Sequence, residues 1–145
     1  MKYSLANYIL SVQPNDESLR SLFSNISIGG EGSALDSISI SVGDTLWETS
    51  SFATGAWVHD KNLARTGTVT ISISQLSDRV AKFKQMCNVF FNGEYDGFTL
   101  SLVDNQGVKV CTCIDCYITK IPDQSFGAKA ANQSWSFTCG EITFD

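Results

Sequence analysis

Between Arg65 and Phe90 the repeat of apolar residues lengthens from two to the spacing of a helix, and this predicts a strand running directly into a helix. Val69, Ile71 and Ile73 fall on one side of the extended stretch, and Thr68, Thr70, Ser72 and Ser74 on the other. Strict alternation with β-branched residues is the pattern of a half-buried strand. After Gln75, Val80, Phe83, Cys87 and Phe90 recur at helical spacing with Met86 beside them, which predicts a helix around 77–89. Ser77 is the expected N-cap, because its hydroxyl can accept a bond from an unpaired amide of the first turn. Asp78 suits the positive end of the helix dipole, and Asp78 with Lys82 forms a favourable i,i+4 pair. No other stretch of the chain has so clear a helical period.

The remaining segments read as strand and loop. Leu5 to Val12 predicts a first strand ended by Pro14-Asn15-Asp16. Leu19 to Ile28 fits two patterns, a short helical turn followed by an alternating strand. Leu35, Ile38, Ile40 and Val42 mark a further strand closed by Gly43-Asp44, and Thr45 to Thr54 reads as its hairpin partner. Gly55 to Arg65 shows no period and is expected to be loop, so the stretch around 43–65 forms one long excursion. Phe98, Leu100 and Leu102 alternate with Thr99 and Ser101. Asp104-Asn105-Gln106-Gly107 is a hairpin turn, with Gly107 able to take positive φ. Val108 to Ile121 is the return strand, stopped by Pro122. Ser125 to Asn132 is a second loop. In the last strand Trp135, Phe137 and Cys139 point inward, and Gly140 marks a bulge, since Ile142 and Phe144 have the opposite parity.

Composition supports a mainly β fold. Thirty of the 145 residues are Ser or Thr, which favours sheet over helix. The length suits one domain, 1–145, with a core of its own. The expected architecture is a β-barrel or sandwich of about seven strands with one flanking α-helix. A net charge of -5 argues against a surface that grips nucleic acid, which needs a basic patch. No apolar run is long enough to cross a bilayer, and the first residues lack the apolar core of a signal peptide. Synthesis and folding in a cytoplasm are the expectation.

No catalytic constellation assembles from the sequence. His59 is the sole histidine and reads as a solvated loop residue; no catalytic residue, metal ligand or cofactor is assigned. The cysteines stand out. Cys111, Cys113 and Cys116 lie on one predicted strand, and Cys87 and Cys139 stand apart. The C-x-C-x2-C spacing is not a repeated C-x2-C zinc pattern, and an unbroken strand throws Cys116 to the face opposite Cys111 and Cys113. Three readings stay open: a zinc site, which this spacing fits poorly; small buried apolar residues, as Cys often is; or disulfide candidates that pair between subunits once a particle leaves the cell. Trp47, Phe52 and Trp57 either fold over the core or form aromatic anchors at a subunit interface.

In order of elements the chain resembles the tail tube proteins of contractile-tailed bacteriophages. The likeness lies in the SerIleSerIleSer strand, the long loop, and Arg65-Thr66-Gly67-Thr68-Val69-Thr70 opening a strand that runs into a helix. The Asp104–Gly107 hairpin, the strand ending before Pro122, and the terminal TrpSerPheThrCysGlyGluIle strand complete it. The cysteine content departs from that pattern. The resemblance implies a virion component without catalytic activity: hexameric rings stacked into a tube inside a sheath, a conduit for DNA passing into the host. It implies as partners further copies of the chain, the tail sheath protein, and baseplate and tail terminator proteins. DNA would pass through the lumen without specific binding, and no membrane is involved. Inter-subunit contacts are expected at Trp47, Phe52, Trp57, Arg65 and Lys129. An acidic subunit suits such a bore, since a basic wall would hold phosphates. Two alternatives remain: the inner tube of a related contractile secretion or bacteriocin machine, and a monomeric carbohydrate-binding β-sandwich module that stacks sugars on Trp47 and Trp57.

Overall fold

The structure is a computed structural model that describes residues 2–21, 23 and 26–145. Nine strands occur among them: β1 (Tyr8–Pro14), β2 (Ile26–Gly29), β3 (Leu35–Val42), β4 (Trp47–Ser51), β5 (Trp57–Lys61), β6 (Gly67–Ser74), β7 (Phe98–Asp104), β8 (Lys109–Ile118) and β9 (Asn132–Phe144). Helix α1 (Glu17–Arg20) is one turn, and α2 (Asp78–Phe91) is the long helix. Seven strands form one antiparallel curled sheet in the order β2-β1-β7-β8-β9-β6-β3, and β4 pairs only with β5. The expected mainly β class with one substantial helix is what the chain adopts.

The core lies between α2 and one face of the sheet. Val69, Ile71 and Ile73 of β6 and Trp135 and Phe137 of β9 meet Val80, Phe83 and Met86 of the helix. Phe83 sits 5.3 Å from Trp135 and 5.8 Å from Phe137, ring centre to ring centre, and Phe98 continues the row at 6.5 Å from Phe137. Each such aromatic buries about 150–250 Å², which at about 25 cal/mol per Å² makes this row a principal source of stability. The indole nitrogen of Trp135 donates to Gln133 Oε1 at 3.3 Å, and Gln133 Nε2 donates to Gln124 Oε1 at 3.0 Å. The buried amide is thereby satisfied, and the loop before β9 is tied to the core.

Ser77 caps α2 as its sequence predicts, accepting from the Arg79 amide at 3.3 Å. Asp78 differs: its partner is Arg79 at 3.3 Å rather than Lys82. The first strand also begins later than expected. Leu5–Asn7 forms a 3-10 turn capped by Ser4, and the strand runs on through Pro14. The two patterns over Leu19–Ile28 are both present, as α1 and β2, with Leu22, Ser24 and Asn25 outside the described residues. Thr45 to Thr54 does not pair with β3. It holds β4, whose partner β5 lies in the stretch expected to be loop. Both strands are exposed on both faces, so neither needs an apolar alternation to form.

The phase of β8 and β9 is set by one irregularity. Asp115 has φ of 55° and faces Gly140. Opposite β7, β8 slips by one residue between Leu100↔Cys113 and Phe98↔Cys116, whereas β8 and β9 stay in step on both sides. The inward parity therefore changes on both strands together: Cys113 then Cys116 on β8, Cys139 then Ile142 on β9. The change of phase falls at Gly140 as the sequence indicates; Ile142 is buried, but Phe144 is exposed at the sheet end.

Candidate assembly interface

The β4–β5 ribbon stands apart from the core. Its turn closes through the Phe52 amide donating to the Ala56 carbonyl at 2.8 Å, with Gly55 at φ of 92°. Paired residues of an antiparallel ribbon share a face. Trp47↔Lys61, Thr49↔His59 and Ser51↔Trp57 therefore place both tryptophans and the histidine on one side. Lys61 Nζ lies 5.9 Å from the centre of the Trp47 ring, and Thr49 and His59 share a 2.8 Å hydrogen bond. Glu48 and Asp60 oppose each other on the other side, beside Ser50 and Val58. The ribbon thus has an aromatic, basic face and an acidic one. Trp57 is 65% exposed and Trp47 56%, with Phe52 exposed at the turn.

Asp44 fixes the base of the ribbon. Its carboxylate accepts from the Thr66 amide at 2.9 Å and from the Thr66 hydroxyl at 2.6 Å. Arg65 lies at the same base, where its carbonyl accepts from the Ile142 amide at 3.0 Å. A cleft there is lined by Asp44, Leu46, Leu63, Arg65, Glu141 and Phe144. Lys129 is elsewhere. The ribbon springs from the Val42 and Gly67 ends of β3 and β6, whereas the connection holding Lys129 enters β9 at Asn132, opposite Ser74. The two excursions therefore stand at opposite ends of β6, about 23 Å apart along the strand. Sequence reasoning passed over Leu63 and Phe126, exposed in these two loops, and the pairing role of Val58, His59 and Lys61. Leu63, Phe126 and Val58 carry only the signal of large apolar residues in turn-rich surroundings, and His59 and Lys61 carry none.

The edges of the large sheet differ. The edge strand β2 is four residues long, and its Ser27 carbonyl accepts from Arg79 Nε at 2.9 Å. At the other edge β3 is eight residues long and pairs only with β6 among the described strands. A long edge with unpaired backbone groups is a template for another chain.

The sheet face turned from the core carries rows of hydroxyls. Ser37, Ser39 and Ser41 of β3, Thr68, Thr70 and Ser72 of β6, and Ser134, Ser136 and Thr138 of β9 lie side by side, with no Lys or Arg among them. Cations collect instead on α2, at Arg79, Lys82 and Lys84.

Among the described residues no group of three His, Cys, Asp or Glu side chains is arranged to hold a metal ion, and no helix is long and apolar enough to cross a membrane. Cys111, Cys113 and Cys116 all lie buried on the inner face of the sheet, because the Asp115 bulge turns Cys116 back inward. They are not on the exposed strand face that pairing between subunits requires. Burial first, then Cys113 beside it, pushes the Cys111 thiol up to about 12. A hydrogen bond to Cys139 and burial also raise Cys113.

The family of the Bacteriophage PhiTE tail tube protein matches the chain over residues 18–144. Solved structures share its fold. A chain of the sheath-tube complex of an extracellular contractile injection system, PVC, in the extended state is 15% identical, with a TM-score of 0.60, covering 100% of this chain and 92% of that one. A chain of the tube-terminating cap of the anti-feeding prophage is 10% identical, with a TM-score of 0.55, covering 100% and 93%. One from the anti-feeding prophage baseplate is 8% identical, with a TM-score of 0.57, covering 99% and 95%. No curated protein matches in sequence.

Proposed function

The chain belongs to the PhiTE phage tail tube family, and we propose that it closes into hexameric rings that stack as the DNA conduit of a virion tail. The observation that carries this reading is the β4–β5 ribbon. It leaves two tryptophans of one face in water in the isolated chain, and a second copy supplies the cover. The ribbon and the Lys129 connection stand at opposite ends of β6, as head-to-tail stacking requires. The free β3 edge extends the sheet into a neighbour around the ring. The hydroxyl rows face the bore. They offer passing DNA no cation, so phosphates are not held by counterion release.

The outer surface contacts a sheath, and the tube ends meet baseplate and terminator proteins. The subunit performs no catalysis and is made in the host cytoplasm. The likeness to chains of contractile injection particles supports a second reading, the inner tube of such a machine; the genes beside this one decide between them.

Sedimentation velocity of the wild type and of Trp57→Ala tests the role of the ribbon. The expected result is fast-sedimenting assemblies for the wild type and smaller species for the variant, with unchanged circular dichroism. Equal assembly of both removes the ribbon from the interface. A soluble monomer that binds a glycan column, with Trp57→Ala released, turns the same face into a sugar platform.

A further inference from the structure

Four thiols gather on the inner face of β8 and β9, and the assembly reading leaves them unused. Cys116 and Cys139 stand directly opposite each other in the β8–β9 register, both turned into the core, with sulfurs 3.0 Å apart. Opposed positions of an antiparallel pair bring Cα atoms to about 4.5–5.5 Å, inside the roughly 4.4–6.8 Å that a disulfide bridges. Cys111 and Cys113 also approach, at 3.6 Å between sulfurs, but they are neighbours along one strand. Two residues of strand separate their Cα atoms by about 6.5 Å with parallel Cβ directions, which strains a bond.

We propose that Cys116 and Cys139 are a latent intrachain disulfide site, closed by a peroxide-class oxidant when the protein leaves a reducing compartment. One thiolate attacks hydrogen peroxide, the O–O bond breaks, and a sulfenic acid and water result. The facing thiol then displaces the sulfenic oxygen. The S–S bond forms, both sulfurs end oxidised by one electron each, and the oxygen and proton leave as a second water. The peroxide is the electron acceptor, reduced to two waters in all. The bond staples β8 to β9 at the root of the residues 119–131 connection, where one of the two stacking excursions begins.

Burial governs the timing. Cys113 holds the Cys139 thiol down by a hydrogen bond, but Cys116 and the dry surroundings outweigh it and push Cys139 up to about 12. Once the chain is folded, Cys139 thiolate is scarce at neutral pH, so the bond closes slowly. The chemistry needs only the folded chain; the setting, a particle outside the cell, rests on the tail tube reading.

The test uses the purified protein with dilute hydrogen peroxide, followed by quenching, unfolding, alkylation and peptide mass spectrometry. The expected product is a Cys116–Cys139 cross-linked peptide, with two of the five cysteines lost to alkylation and the melting temperature raised by roughly 5–10 °C. Cys139→Ala and Cys116→Ala, treated alike, show neither change. Five alkylatable thiols after treatment, a bond within Cys111–Cys113, or dimers on a non-reducing gel each overturn the proposal. Because the readout is a bond within one chain, it stands or falls apart from whether tubes form.

Discussion

Asp115 holds a left-handed backbone directly across from Gly140, and this pair turns the inward faces of β8 and β9 over together. Without it Cys116 would point to solvent and Ile142 would leave the core. Asp tolerates the left-handed region because its short polar side chain fits there, whereas a β-branched residue does not. Asp115→Val is expected to lower stability by about 1–3 kcal/mol in urea unfolding, and Asp115→Gly to leave it near wild type. Equal stability of both variants removes the backbone from the argument.

Gly67 begins β6 where three strands meet. A Cβ there collides with the Ser41 carbonyl oxygen and with Ile142 Cδ1. Backbone is one of the two obstacles, so side-chain movement alone does not relieve it. Gly67→Ala is expected to cost about 2–4 kcal/mol, read by denaturant titration. A loss below about 0.5 kcal/mol contradicts the close approach of β3 and β6.

The thiol cluster predicts an alkaline limit. Cys111 titrates near 12 when folded and near 9 when free. Between those values the folded chain keeps a proton that the unfolded chain has lost, so stability present below about pH 9 declines as pH rises toward 12. Cys111→Ala is expected to flatten that decline, whatever its effect at pH 7. The check is urea unfolding of both proteins at pH 7, 9 and 10; parallel slopes contradict it.

Asp44 predicts a local effect. Its two bonds from Thr66 hold the ribbon base at the surface. Asp44→Ala is expected to raise amide exchange in residues 47–61 about tenfold, while the amides of β6 and β9 keep their protection. Unchanged exchange in the ribbon means that its own pairing suffices.

The core was legible because burial on one face imposes alternation. Val69, Ile71 and Ile73 could only read as a half-buried strand, and Val80, Phe83 and Met86 as the helix above it. The ribbon was not legible. Trp47, Thr49, Ser51, Trp57, His59 and Lys61 share a face that stays exposed among the described residues, so no hydrophobic contrast marks it. The bulge was half legible: Gly140 signalled it on β9, but Asp115 carries no signal by itself, and so Cys116 seemed to face outward. Of the proposed interface residues, Trp47, Phe52, Trp57 and Arg65 cluster on the ribbon and its base, while Lys129 belongs to the far end.

Negative-stain electron microscopy of the purified chain over rising concentration, alone and seeded with baseplates, tests the tube most directly. The account predicts closed rings and hollow tubes whose length grows with concentration. Single globular particles at every concentration, with baseplates present, contradict it.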